Sequence, residues 1–216
     1  INTRFSVDSI NMSYSDWVCK NTTLKAAPFN FKRFPFQKAI VDDLHPNLHV
    51  IKISQVGLTE TQIRKAAAFC ARNRGVTVLM TFPNEPMMKK NSQTRIMPII
   101  ENDRVFNLSG GKPIRTVDIQ QIGDSYLMVV PATEGSATST PADFVMVDEV
   151  DLSNQQMVGL LGSRMQASSF RIMQQFSTPT FENFGIHQGY STTDQREYFL
   201  KCDCCNHWQL PKFTKD

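Results

Sequence analysis

Val145-Met146-Val147-Asp148-Glu149 places two adjacent carboxylates at the end of an apolar run. A buried strand fixes whatever follows it, so the first carboxylate could hold the water shell of Mg²⁺ while the second polarises an attacking water. Taken alone, the same residues equally describe a strand running into a solvated acidic turn. Asp151 lies past the strand end, where a surface role is expected. A second group runs from Lys52 to Thr61, a strand-to-helix turn with Gly57, the Thr59 hydroxyl and a lysine. Such a turn can cradle phosphates with backbone N–H groups while a lysine neutralises them and a hydroxyl reaches Mg²⁺. The usual G-x-x-x-x-G-K-[ST] spacing is not met: Leu58 stands where the lysine belongs, no first glycine is present, and Lys52 lies on the other side of the loop. The third group is Cys202, Cys204 and Cys205. Cys202-x-x-Cys205 is half of a four-thiolate Zn²⁺ site, with Cys204 as an alternative register and His207 as a possible nitrogen donor.

These groups need elements to hold them. Leu48, Val50, Ile51 and Ile53 read as a strand before the phosphate-type turn. Ile63, Ala67 and Cys70 then share a helical face, and Thr59 and Gln62 have capping-box spacing. Val76 to Thr81, Val117 to Ile122, Ser125 to Val130, Phe144 to Val147 and Phe170 to Phe176 are further strand candidates. Breaks at Ser109-Gly110-Gly111 and Gly123-Asp124 separate some of them. One helix is expected from the Phe82-Pro83-Asn84 turn through Ile100, and another after a Ser153/Gln156 cap. Strands separated by helices imply a mainly parallel sheet, which binds ligands at the carboxyl ends of its strands. Residues 1–30 show no strong period and read as irregular, with Phe5 and Trp17 as isolated anchors. Phe29, Phe31, Phe34 and Phe36 form an aromatic segment that fits core packing.

The 216 residues carry 23 Lys+Arg against 20 Asp+Glu, a net charge of +3, with 41% hydrophobic residues. That composition excludes a disordered chain, a collagenous rod and a histone-like polycation. No apolar run reaches the roughly 18 residues of a membrane helix. Five cysteines, three of them crowded into four residues, suit a metal knuckle in a reducing compartment better than a disulfide framework.

In order along the chain, the pieces resemble one family. Lys52-Ile53-Ser54-Gln55-Val56-Gly57-Leu58-Thr59-Glu60 resembles the deviant phosphate loop of the large terminase subunits of tailed phages in the lambda-like branch. Pro141 to Asp151 resembles their second motif, and Ser177-Thr178-Pro179-Thr180 their coupling motif. Phe36-Gln37 sits at their aromatic-Gln position, and Arg196 to Cys205 resembles their R-x-Y-x-x-P-C-x-x-C-G segment. The chain departs from the family at Ile53, where serine is usual, and around Thr138-Ser139, where an arginine is frequent.

The resemblance implies an α/β P-loop NTPase of the ASCE type, with a mainly parallel central sheet flanked by helices. It implies an ATPase core over residues 31–186, and a linker with a partial cysteine segment over 187–216. A metal-dependent nuclease domain would be expected beyond Asp216. Ser54, Gln55, Val56, Gly57, Leu58, Thr59 and Glu60 would form the ATP loop, with Lys52 on the β/γ-phosphates and Gln37 on the adenine edge. Thr59 and Asp148 would serve Mg²⁺, and Glu149 would be the base. Ser177 and Thr178 would sense the γ-phosphate. Arg95 is the first candidate for an arginine finger supplied in trans, with Arg64 and Arg72 as rivals. Cys202 and Cys205 would hold Zn²⁺ in a longer protein. Implied partners are double-stranded viral DNA, the small terminase subunit, a portal and procapsid, and copies of the chain in a ring, acting in the host cytoplasm without a membrane. The modest +3 suits a motor that releases DNA at each step. A helicase-type translocase is the alternative from the same chemistry, though a second motor domain would be expected there. A zinc-dependent nucleic-acid-binding or assembly module with a decayed phosphate loop is the non-enzymatic alternative.

Overall fold

The computed structural model describes residues 11–107, 112–133, 135 and 140–210. Phe5, the Ser109-Gly110-Gly111 break, Thr138-Ser139 and the stretch 211–216 lie outside the described residues.

The apolar runs fold as the sequence indicates. β3 (Asn47–Ile51), β4 (Thr77–Phe82), β6 (Ser125–Pro131), β7 (Phe144–Asp148) and β8 (Ile172–Ser177) run parallel, with β5 (Ile119–Ile122) antiparallel at one edge. The order across the sheet is β3-β8-β7-β4-β6-β5. Both faces are covered, which explains why β4 and β7 read as continuous apolar runs rather than alternating ones. On one face Val78, Met80, Phe82, Phe144 and Met146 join the large core; on the other Leu79, Val145 and Val147 meet Val158, Leu161 and Met165. Ile53, expected in β3, lies beyond its end and is exposed.

The large core is built around the helix α3 (Leu58–Arg72), in which every residue from Thr61 to Cys70 is buried. Its outer side is covered by the N-terminal segment, and here the expectation of an irregular chain over 1–30 is corrected for its described part, residues 11–30. Helix α1 (Tyr14–Asn21) is capped by Ser13, whose hydroxyl accepts from the Asp16 N–H, and it buries Trp17 and Val18 completely. A two-residue ladder, β1 (Thr23–Leu24) with β2 (Ala27–Pro28), follows. The available signal was Ser13-x-x-Asp16 just ahead of Trp17-Val18, a cap before an apolar pair. A short helix α2 (Gln37–Asp42) leads into β3, and the Asp42 carboxylate ties back to Ser15.

The single helix expected after Asn84 is divided. Asn84 caps α4 (Glu85–Asn91), a π-helical turn spans Ser92–Ile96, and α5 (Met97–Asn102) follows. Pro98 has no N–H to give four residues back, and the Met97 N–H reaches Ser92 O, five back. A proline inside a helix is a usual cause of such a bulge. Two caps also differ from expectation. Asn154, not Ser153, caps α6 (Gln155–Leu161). Helix α3 starts from Gly57, because the Thr59 hydroxyl is engaged elsewhere. Beyond β8 come α7 (Gly185–Ser191) and a terminal hairpin, β9 (Leu200–Lys201) with β10 (Trp208–Gln209).

Candidate active site

Strands β3, β8 and β7 are neighbours and parallel, so their carboxyl ends open on one edge of the sheet. The turn after β3 bends through Gln55 at φ 63 and Gly57 at φ 71, both left-handed. Gly57 is suited to that conformation because it lacks a Cβ. Leu58 follows with its side chain in the core, 2% exposed. A lysine at that position would be directed inward, which gives a physical reason for the displaced Lys52.

Lys52 leaves β3 with its N–H on the Ser177 carbonyl at 2.9 Å. Its Nζ donates to Asp148 Oδ1 at 2.8 Å and to Glu149 Oε1 at 2.7 Å. Burial alone would pull this ammonium down, but the two carboxylates reverse that and hold it above its ordinary value. Thr59 Oγ1 donates to Asp148 Oδ2 at 2.6 Å. Four side chains from residues 52, 59, 148 and 149 thus meet, though up to 97 positions apart in sequence. Glu149 sits at φ 53 and ψ 52, a left-handed conformation rare for a residue with a Cβ. It is held there by Leu152 N–H and Ser153 Oγ, both donating to its carbonyl. Such strain persists where surroundings over-determine the backbone, commonly at functional sites.

The resemblance placed Gln37 on the adenine edge; the structure turns it onto the loop. Its Nε2 donates to the Val56 carbonyl at 2.5 Å, its Oε1 accepts from Thr61 Oγ1 at 2.7 Å, and it is 3% exposed. Gln37 therefore braces the loop from beneath, while Ser54 and Gln55 are exposed at its tip. Glu60 pairs with Arg64.

Ser177 is buried at the end of β8 and accepts the Asp151 N–H at 3.1 Å, so it touches the roots of both neighbouring strands. Thr178 follows it, half-buried, and accepts from Ser177 Oγ through its carbonyl. Asp151, read from sequence as a surface residue, is instead buried and accepts from Thr180 and Ile186. Its partners lie on segments distant in sequence, so no local spacing announced it.

Among the arginines, Arg64 is 1% exposed, lies over the Phe29 ring and donates to Glu60 and the Thr23 carbonyl. Arg72 lies over Tyr14 and donates to Met12 O. Both are fastened inside this chain by these contacts. Arg95 is exposed on the π-helical turn.

The oxygen donors Thr59 Oγ1 and Asp148 Oδ2 converge within 2.6 Å, and hard oxygens of this kind fit Mg²⁺. Cys202 and Cys205 share the β9–β10 turn, closed by Cys202 N–H to His207 O and Asn206 N–H to Cys202 O. Backbone N–H groups of Cys205 and Cys204 pull the Cys202 thiol below its ordinary value. Among the described residues no group of three or more His, Cys, Asp or Glu side chains is placed to hold a metal, so Zn²⁺ would need donors beyond this turn.

The family described as "Phage terminase large subunit gpA, ATPase domain" matches residues 24–215. No curated protein matches. Among solved structures, the HK97 bacteriophage large terminase superposes with a TM-score of 0.67 at 9% identity, covering 81% of this chain and 39% of that one. The large terminase of a thermophilic bacteriophage gives a TM-score of 0.47 at 14% identity, covering 82% of this chain and 40% of that one. The chain therefore spans about two fifths of the length of these terminases. The fold is that of a P-loop ATPase, and the chain belongs to the family of phage terminase large subunit ATPase domains.

Proposed function

We propose that the chain hydrolyses ATP at the Lys52–Thr59–Asp148–Glu149 cluster and that hydrolysis drives double-stranded DNA into a procapsid. The observation that carries this reading is the convergence of one lysine, one hydroxyl and two carboxylates at the strand ends beside a helix N-terminus. Backbone N–H groups of Gln55 to Leu58 would receive the β-phosphate, and Lys52 would swing from the carboxylates to the β/γ-oxygens. Thr59 and Asp148 would hold Mg²⁺, which supplies charge neutralisation of the phosphates when bound. Glu149 is 26% exposed at its side chain, whereas Asp148 is 4% exposed, so Glu149 is the carboxylate better placed to orient a water. The exposed Arg95 would act as a finger on a neighbour's γ-phosphate in a ring of copies. Small terminase subunit, portal and procapsid are the partners this role requires, in the host cytoplasm, with a nuclease domain in the whole protein.

A decayed phosphate loop is disfavoured by the same convergence, since a loop without function has no need to gather these four groups around a left-handed glutamate. Steady-state ATPase assays with Mg²⁺ provide the test. Lys52→Ala and Glu149→Gln should each lose at least about 10²-fold in kcat/KM, or roughly 2.7 kcal/mol of transition-state stabilisation. Retention of most of the turnover by either variant would sink the assignment.

A further inference from the structure

Asp151 is a buried acid that the hydrolytic reading leaves without a task. It lies two residues past Glu149, in the short 3₁₀ turn Val150–Leu152, and is 8% exposed. Its Oδ2 accepts from the Thr180 N–H at 2.7 Å and from Thr180 Oγ1 at 3.0 Å. Its Oδ1 accepts from the Ile186 N–H at 2.8 Å, and its own N–H donates to Ser177 Oγ. One side chain thus joins the carboxylate turn after β7 to the loop after β8 and to the first turn of α7.

The chemistry of the partners is selective. All three groups facing the carboxylate are donors, so a carboxylate satisfies them, whereas an amide must turn its NH₂ towards at least one. The packing is tight as well: a Cβ at Gly185, whose φ is +53, would lie 2.5 Å from Asp151 Oδ1. Helix α7 presses in turn on β3, where a Cβ at Gly189 would collide with the His49 imidazole. β3 ends one residue before Lys52. A closed circuit results, running from Lys52 through Glu149 and Asp151 to α7 and back along β3.

We propose that Asp151 is a positioning residue that couples the setting of Glu149 to residues 178–191, so that loss of the γ-phosphate is passed to α7 and the chain after it. The proposal rests on the hydrolytic reading above and adds a route by which that site would be felt elsewhere. A group fixed by three charge-assisted hydrogen bonds to two separate segments moves them together. Thr180 is exposed on its outer side, so the loop it belongs to can shift without opening the core.

The test compares wild-type chain, Asp151→Asn and Thr180→Val in the presence of Mg²⁺ with either a non-hydrolysable ATP analogue or ADP. Amide hydrogen exchange over residues 178–191 and steady-state ATPase are read together, with thermal melting to establish folding. In the wild type, exchange at Thr180 and Ile186 should differ between analogue and ADP. Asp151→Asn should keep analogue affinity and KM within about threefold, lose roughly tenfold or more in kcat, and abolish the exchange difference. Thr180→Val removes one donor from an exposed residue and should give the same pattern more weakly, which decides the matter if Asp151→Asn does not fold. Folded variants with wild-type kcat and an intact exchange difference would overturn the coupling while leaving the hydrolytic site standing. A wild-type chain that binds no analogue would overturn the site itself, and the coupling with it.

Discussion

Lys52 offers one positive charge to two carboxylates, and that imbalance separates the effects of substitutions at the site. Removing Lys52 leaves Asp148 and Glu149 side by side, with Asp148 buried and without a cation. Breaking a buried pair from one side costs roughly 3–5 kcal/mol. Lys52→Ala should therefore lower the melting temperature markedly besides losing turnover. Glu149→Gln is different, because a glutamine carbonyl still accepts from Lys52 and the Asp148 contact remains. It should melt within a few degrees of wild type, a shift under about 1 kcal/mol, while losing turnover to a similar extent. Differential scanning calorimetry of the two variants beside their ATPase rates checks this. Equal destabilisation would mean that Glu149 is chiefly structural. At this scale the sequence was most informative where type and position sufficed: Asp148, Glu149 and Thr59, named from strand and helix ends, lie together in the structure. It was least informative where a role depends on what the side chain meets. Gln37 turned out to brace the loop, and Asp151 to link distant segments, because their partners are set by tertiary packing.

Helix α3 shows how an element carries the site and what that requires. It is covered on nearly all sides, so its charged residues must be satisfied inside. Lys65 is completely buried, and its Nζ donates to the carbonyls of Ile40 and Asp43 and to Gln174 Oε1. It thereby fastens α2 and β8 to α3. Burial pulls this ammonium from its ordinary 10.5 down to about 7. Between those values the unfolded chain holds a proton on Lys65 that the folded chain releases, giving up one of the three donated hydrogen bonds, so the unfolded state binds more protons and stability rises with pH. Below about 7 both states are protonated and the dependence vanishes. Lys65→Met takes this donor from the Ile40 carbonyl and Gln174 Oε1, while the Asp43 carbonyl keeps Gln174 Nε2, and should cost about 2–4 kcal/mol. Urea titrations at pH 7 and pH 9 should show wild type gaining stability relative to Lys65→Met, by at most about 1.4 kcal/mol per pH unit. A constant difference between the two proteins would show that Lys65 keeps its proton when folded. Strands were legible at this scale because burial on both faces leaves a run of Val, Met and Phe that few other arrangements tolerate. Helix α1 was not, since eight residues with only Trp17 and Val18 buried among the apolar ones give little period to count.

At the scale of the molecule, the proposed hydrolysis calls for a positive charge on the γ-phosphate from outside the Lys52 cluster. Of the three arginines singled out from the sequence, Arg64 and Arg72 are fastened under the N-terminal segment, which leaves Arg95 exposed where the proline-induced π-helical turn bulges from the helix. If Arg95 serves a neighbour in a ring, each active interface takes its lysine from one copy and its arginine from the next. Lys52→Ala and Arg95→Ala chains should then each be nearly inactive when assembled alone, yet recover activity when mixed. With equal amounts assorting at random, a productive interface needs an Arg95→Ala copy holding nucleotide beside a Lys52→Ala copy lending its arginine. That combination occurs in about a quarter of interfaces, so the mixture should reach about a quarter of wild-type turnover. Arg95→Ala alone should keep wild-type affinity for an ATP analogue, since a finger acts chiefly on the transition state. Mixing by subunit exchange, followed by ATPase assay on assembled rings, reads both effects. No recovery on mixing, with Arg95→Ala still binding nucleotide, would assign the finger to a residue elsewhere; full activity of Arg95→Ala alone would remove it from the mechanism.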